Sequence, residues 1–185
     1  FQADGGAGND SLIGALGNDV LYGSVGNDTL NGQAGSDFLD GGSGFNQLNG
    51  GDGNDTLVGR AGDILSGGNN DDFLSIQSDA VTSVDGGLGS DTLRVENSWD
   101  ISGTAITGVE RINLNGTVWM TADQLGSFAT VSGYSDSSTT AQAVLTKGGT
   151  ATVNLYSGLT SSFNLTGSGE ADLITFAAGT ATPLS

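Results

Sequence analysis

The 185-residue chain contains no cysteine and no histidine, a single proline, a single methionine, and only 4 basic residues against 21 acidic ones. Each shortage excludes something. Without cysteine there is no thiol nucleophile and no disulfide, and without either residue there is no zinc site of the usual nitrogen and sulfur kind. Without histidine there is no Ser-His-Asp triad. A net charge of −17 repels phosphate backbones and anionic lipid, so no nucleic-acid partner is expected. No run approaches the ~18 apolar residues of a membrane-spanning helix, and no membrane insertion is expected. The first residue is Phe1 and the one methionine is Met120; the sequence reads as a piece of a longer protein.

What the chain has in quantity is glycine, 33 residues in all. Residues 1–94 hold 22 of them, with 14 acids and 2 bases, whereas residues 95–185 hold 11, with 7 acids and 2 bases. The shift predicts two domains, 1–94 and 95–185.

The first half is periodic. From Gly5 it reads GGAGNDSLI, GALGNDVLY, GSVGNDTLN, GQAGSDFLD, GGSGFNQLN and GGDGNDTLV without a gap. A shortened block GRAGDILS, then GGNNDDFLS, a degenerate stretch IQSDAVTSVD and GGLGSDTLR complete it. Leucine holds the eighth place at Leu12, Leu21, Leu30, Leu39, Leu48, Leu57, Leu65, Leu74 and Leu93, and an acid or Asn46 holds the sixth.

Glycine at the first and fourth places permits positive φ and close backbone approach, so six residues are expected to turn. The last three form a short strand with leucine pointing inward. Two blocks then make one coil, and ten blocks a roll about five coils long. One buried leucine contributes about 2–3 kcal/mol, while ordering nine residues costs about 1–2 kcal/mol each. A cation is needed to complete the fold. Carboxylates and carbonyls offer only oxygen, which suits Ca²⁺ better than the tighter octahedron of Mg²⁺.

Same-side turns lie two blocks apart. Asp10 therefore faces Asp28, and Asp19, Asp37, Asp55, Asp72 and Asp91 form a column on the other side. These columns make five Asp–Asp neighbours, one from the first side and four from the second, and several ions, about four to six, are expected. Asn46 replaces the acid and Phe45 precedes it, so sites around the fifth block are expected to be weaker or merely structural. The Asp55-to-Asp72 and Asp72-to-Asp91 steps of 17 and 19 residues are expected to distort their sites.

Blocks such as GGDGNDTLV resemble the G-G-x-G-x-D-x-U-x nonapeptide of the RTX calcium-binding proteins. The resemblance covers residues 5–75 and 86–94. It implies an all-β fold, a parallel β-roll that holds Ca²⁺ between same-side turns. The implied ligands are the sixth-place acids Asp10, Asp19, Asp28, Asp37, Asp55, Asp63, Asp72 and Asp91. Carbonyls of the fourth-place glycines Gly8, Gly17, Gly26, Gly35 and Gly53 are expected to join them. It also implies secretion through a type I channel, in an unfolded state, to the extracellular bacterial cell surface.

The second half alternates apolar residues with Ser, Thr and Asn in 109–116, 150–158 and 161–167, and reads as strands. The elements Ile112-Asn113-Leu114, Val153-Asn154-Leu155 and Phe163-Asn164-Leu165 suggest a β-rich solenoid-like or sandwich-like cap. Residues 121–128 are expected to hold a short helical turn, and Trp99 and Trp119 to fill or cover the core. A worn copy of the repeat at 167–176 would place Asp172 in the acid position.

The function expected is that of a calcium-dependent structural module of a surface-layer protein or RTX adhesin, with neighbouring copies of itself or cell-surface glycans as further partners. The alternative is a carbohydrate-binding accessory module of an RTX-bearing polysaccharide-active enzyme, with the two tryptophans as a sugar platform. Catalysis is not expected. Glu96, Asp100, Glu110, Asp123, Asp136 and Glu170 lie outside the repeats, and no spacing singles out a carboxylate pair.

Overall fold

The computed structural model describes residues 1–115 and 117–133 and, beyond them, strands over 141–145, 150–155, 163–166 and 173–178. The chain divides into two units, Phe1–Arg94 with Gly103–Val109, and Val95–Ser102 with Glu110–Ser185.

The first unit is a parallel β-solenoid of about six turns. One of its two faces runs β1 (Gln2–Asp4), β3 (Val20–Tyr22), β5 (Phe38–Asp40), β7 (Thr56–Gly59), β9 (Phe73–Ile76) and β11 (Thr92–Glu96). The other runs β2 (Ser11–Ile13), β4 (Thr29–Ala34), β6 (Gln47–Asp52), β8 (Ile64–Asn69), β10 (Ser83–Leu88) and β12 (Ala105–Thr107). The register sets leucine on leucine. Leu21 pairs with Leu39, which pairs with Leu57 and so on to Leu74; Leu12, Leu30, Leu48 and Leu65 stack in the same way on the other face. All nine eighth-place leucines are buried.

The roll is one coil longer than the count of blocks implies. β1 lies before the first glycine of the repeat, with Ala3 beside Leu21, and β12 lies after the last block, with Ile106 beside Val84. Neither strand carries the glycine and aspartate markers of a turn, but pairing with a neighbour uses only main-chain groups. The degenerate stretch also supplies a strand. There Val84, fully buried, takes the place that leucine holds elsewhere.

The glycine expectation needs one correction. The left-handed residues are at the second and fourth places, as at Gly42 (φ 82°) and Gly44 (φ 126°), and Ser24 and Gln33 adopt the second-place conformation at φ 75° and 78°. First-place glycines are outside that region; close approach, described below, fixes them instead.

In the second unit β13 (Arg111–Asn115) pairs in parallel with β15 (Thr130–Gly133), and β14 (Thr117–Met120) with β16 (Ala141–Leu145). β16 pairs with β18 (Phe163–Thr166), and β17 (Thr150–Leu155) with β19 (Leu173–Ala178). The three apolar-Asn-Leu elements lie in β13, β17 and β18. The expected helical turn is α1 (Ala122–Ser127), closed by a capping box between Thr121 and Gln124. Ile112, Leu114, Val118, Met120, Leu125 and Phe128 are buried. Trp99 and Trp119 are both half-buried. Asp136, Glu170 and Asp172, with most of the worn repeat, lie outside the described residues.

Candidate metal centre

Each turn but that of the shortened block, where Gly59 faces Leu65, returns its sixth-place side chain beneath its own first-place glycine. A Cβ built on Gly32 would stand 2.3 Å from Asp37 Oδ2, and one on Gly50 would stand 2.3 Å from Asp55 Oδ2. Only glycine leaves the carboxylate this room.

The other carboxylate oxygen points one coil back and accepts a main-chain N–H. In the first row of turns the amide of Asp10 donates to Asp28 Oδ1 at 2.8 Å, that of Asp28 to Asn46 Oδ1 at 2.8 Å, and that of Asn46 to Asp63 Oδ1 at 2.8 Å. In the second row Asp19 donates to Asp37 at 2.7 Å, Asp37 to Asp55 at 2.8 Å, Asp55 to Asp72 at 2.8 Å and Asp72 to Asp91 at 2.7 Å. The two columns expected from sequence are therefore brought together as two ladders. The irregular steps leave the ladder bonds at normal length, against the expectation of distortion there, because the change in length is absorbed in the loops.

Oδ2 takes no part in this ladder. In Asp10, Asp28, Asp37, Asp55 and Asp72 that atom is buried and has no hydrogen-bond partner, which is costly for a charged oxygen. Burial is the main force raising the carboxyls of Asp37, Asp55 and Asp72, with like charge from neighbouring rungs adding to it. Asp55 is pushed up to about 6 and Asp72 to about 7. Asp19 is the exception. Its Oδ2 accepts the Ala15 amide at 2.6 Å and its Oδ1 faces the Phe1 amine at 2.9 Å, and these bonds, Ala15 first, hold its carboxyl below the usual range.

A second oxygen converges on the leftover one. The Gly50 carbonyl lies 2.6 Å from the same Cβ point of Gly32 that Asp37 Oδ2 approaches. The arrangement recurs for Asp19 with Gly32, Asp28 with Gly41, Asp55 with Gly67, Asp72 with Gly86 and Asp91 with Gly108. Sequence reasoning missed these first-place carbonyls, although the glycine that opens nearly every block was the signal for them. Gly108 follows β12 and has no repeat around it. The expected fourth-place donors Gly8, Gly26 and Gly35 do face the turn gap, each carbonyl aimed at the fourth-place glycine of the next coil; Gly17 packs on Gly35 in the same manner. Gly53 rests on the Gly35 carbonyl.

The fifth place forms a further ladder that the sequence reading did not anticipate. Asn9 Oδ1 accepts the Asn27 amide at 2.9 Å, Asn18 that of Ser36 at 2.9 Å, and Asp71 that of Ser90 at 2.9 Å.

This donor set is all oxygen, anionic and partly main-chain. It fits a hard cation of flexible coordination, Ca²⁺, and offers nothing to a soft metal. Among the described residues no group of three acidic side chains gathers at one point, so main-chain carbonyls would have to complete each coordination shell. Residues 4–39 and 31–63 match the family model described as the RTX calcium-binding nonapeptide repeat (4 copies). No curated protein and no solved structure matches the chain. The matched repeat family binds Ca²⁺, and the buried aspartate ladders fit that ion.

Proposed function

We propose that this β-roll is a calcium-dependent structural module of a secreted bacterial cell-surface protein, a surface-layer protein or a large adhesin. The observation that carries the reading is the set of buried, partnerless Oδ2 atoms at Asp10, Asp28, Asp37, Asp55 and Asp72. A fold that buries five such atoms calls for positive charge to be brought in from solution.

RTX repeats are typical of secreted bacterial proteins, and on this reading the chain crosses a type I channel unfolded. In a low-calcium cytosol the carboxylates repel along each column and keep the coils apart. Outside, Ca²⁺ supplies the charge that neutralises them, at sites of the weak extracellular class with Kd of about 10⁻⁴–10⁻³ M. The residues do the rest. Oδ1 of each rung fixes the preceding coil by accepting its amide, the first-place glycine leaves room for Oδ2, and leucine closes the core. Binding energy then becomes folding energy.

A purely structural role, without catalysis, is part of the proposal, since the chain lacks histidine and cysteine. The sugar-platform alternative is less well supported. The Trp99 and Trp119 main chains are joined by a hydrogen bond of 3.0 Å, but Trp99 Nε1 is buried and does not face solvent as a sugar donor would.

The test is circular dichroism of the chain at pH 8, in EGTA and in millimolar Ca²⁺. The β-signal should appear only with the metal. Equal β-content in both solutions would refute the proposal.

A further inference from the structure

One step of the first row is built differently from every other. Between the turns at 41–46 and 59–63, three features of the cradle are replaced together.

First, the sixth place is Asn46. Its Oδ1 must face the Asp28 amide at 2.8 Å, which turns Nδ2 inward, buried and without a partner, to 2.6 Å from the Cβ point of Gly41. A hydrogen-bond donor thus stands where Oδ2 stands in the other blocks, and an amide nitrogen of this kind does not ligate a hard cation. Second, Asp63 has no oxygen to spare. Its Oδ1 accepts the Asn46 amide at 2.8 Å and its Oδ2 the Arg60 amide at 2.7 Å. Third, the turn gap is filled. The Cβ point of Gly62 meets the Phe45 ring, whereas those of Gly26, Gly44 and Gly53 meet the carbonyl of a glycine one coil earlier.

A cation is nevertheless present. The guanidinium of Arg60 donates to Asp40 from both terminal nitrogens, Nη2 reaching Oδ2 at 3.2 Å, and it lies within the electrostatic reach of Asp63. Arg60 occupies the second place of the shortened block, a position held by glycine in five of the other blocks.

From these contacts we infer that the Asn46–Asp63 step takes no calcium and that Arg60 is its resident cation. Asp63, though it stands in the sixth place, is then not a ligand. The inference rests on the calcium reading of the other steps. It divides the roll into steps that wait for an external ion and one step that carries its own positive charge.

Counting bound calcium on the full chain by native mass spectrometry tests the first part. Asp63→Asn should keep the wild-type number of ions, while Asp55→Asn, in the neighbouring row, should lower it by at least one. Loss of an ion in Asp63→Asn overturns the inference. A wild-type chain that binds none overturns the calcium reading, and this inference with it.

The role of Arg60 is tested by the calcium midpoint of folding. Arg60→Met should raise it about two- to fivefold, the range of a partly exposed ion pair, and Arg60→Lys should raise it less. Combining Arg60→Met with Asp40→Asn should return the midpoint toward that of the wild type, because Asp40 is the carboxylate that the loss of Arg60 leaves without its ion pair. A double variant as impaired as Arg60→Met, or an Arg60→Met midpoint equal to that of the wild type, would show that Arg60 does not act by charge.

Discussion

At the scale of the residue, the sixth-place aspartate and the first-place glycine are one device. The glycine exists so that the carboxylate can lie against its Cα. Gly32→Ala would press a methyl against Asp37 Oδ2 at 2.3 Å and the Gly50 carbonyl at 2.6 Å. It should cost about 1–3 kcal/mol, as overpacking does, and more in calcium affinity than in apparent core stability. Gly103→Ala, where a Cβ meets nothing within 4 Å, should change stability by no more than about 0.5 kcal/mol. Urea unfolding at saturating calcium compares the two, and equal costs would remove the argument from close approach. Asp37 has its partnerless oxygen aimed into the cradle, whereas Asn46 offers a donor there. Asp37→Ala should therefore weaken calcium binding more than Asn46→Ala, read by isothermal titration calorimetry.

The element to consider next is the ladder. Asp55 and Asp72 are neighbouring rungs, with carboxyls raised by burial to about 6 and about 7. A raised carboxyl means that the folded chain holds protons that the unfolded chain, titrating near ~4, has released. Without metal, the stability this contributes is fully present below pH ~4 and is lost as pH rises through about 6 and about 7. In EGTA the β-signal, absent at pH 8, should accordingly return in part as the pH falls to 4, and saturating calcium should abolish that pH dependence. A metal-free β-signal that does not rise toward pH 4 would contradict the burial of these groups. The inward leucines make the second ladder of the roll. Leu39 and Leu57 are wholly buried and stacked on each other, and Leu57→Ala should cost about 2–5 kcal/mol.

For the molecule as a whole, the repeat made the register legible before any coordinate was known. The spacing of Leu12 to Leu93 and of Asp10 to Asp91 placed both columns, because side chains that must stack repeat at a fixed interval. What stayed hidden has no such signature. β1 and β12 join the roll through main-chain pairing, which no residue type announces. The carbonyl of Gly108, outside any repeat, is likewise invisible as side-chain chemistry. Val84 took the leucine place in a stretch whose glycines and acid had eroded. The compositional break at residue 94 does not coincide with the end of the roll, since Gly103–Val109 belongs to the first unit.

The ladder also has a direction. Every sixth-place rung reaches backward, the amide of an earlier coil being served by the side chain of a later one, whereas the fifth-place ladder runs the other way. At the sixth place a coil is therefore finished by its successor, and the two ends of that ladder are not equivalent. Asp91→Ala would strand the buried Asp72 amide, a loss of about 1–3 kcal/mol, whereas among the described residues no amide donates to the Asp10 side chain, and Asp10→Ala should be milder. Each inner coil is thus clasped from both sides: the Asp28 amide is held by Asn46 of the following coil and the Asn27 amide by Asn9 of the preceding one.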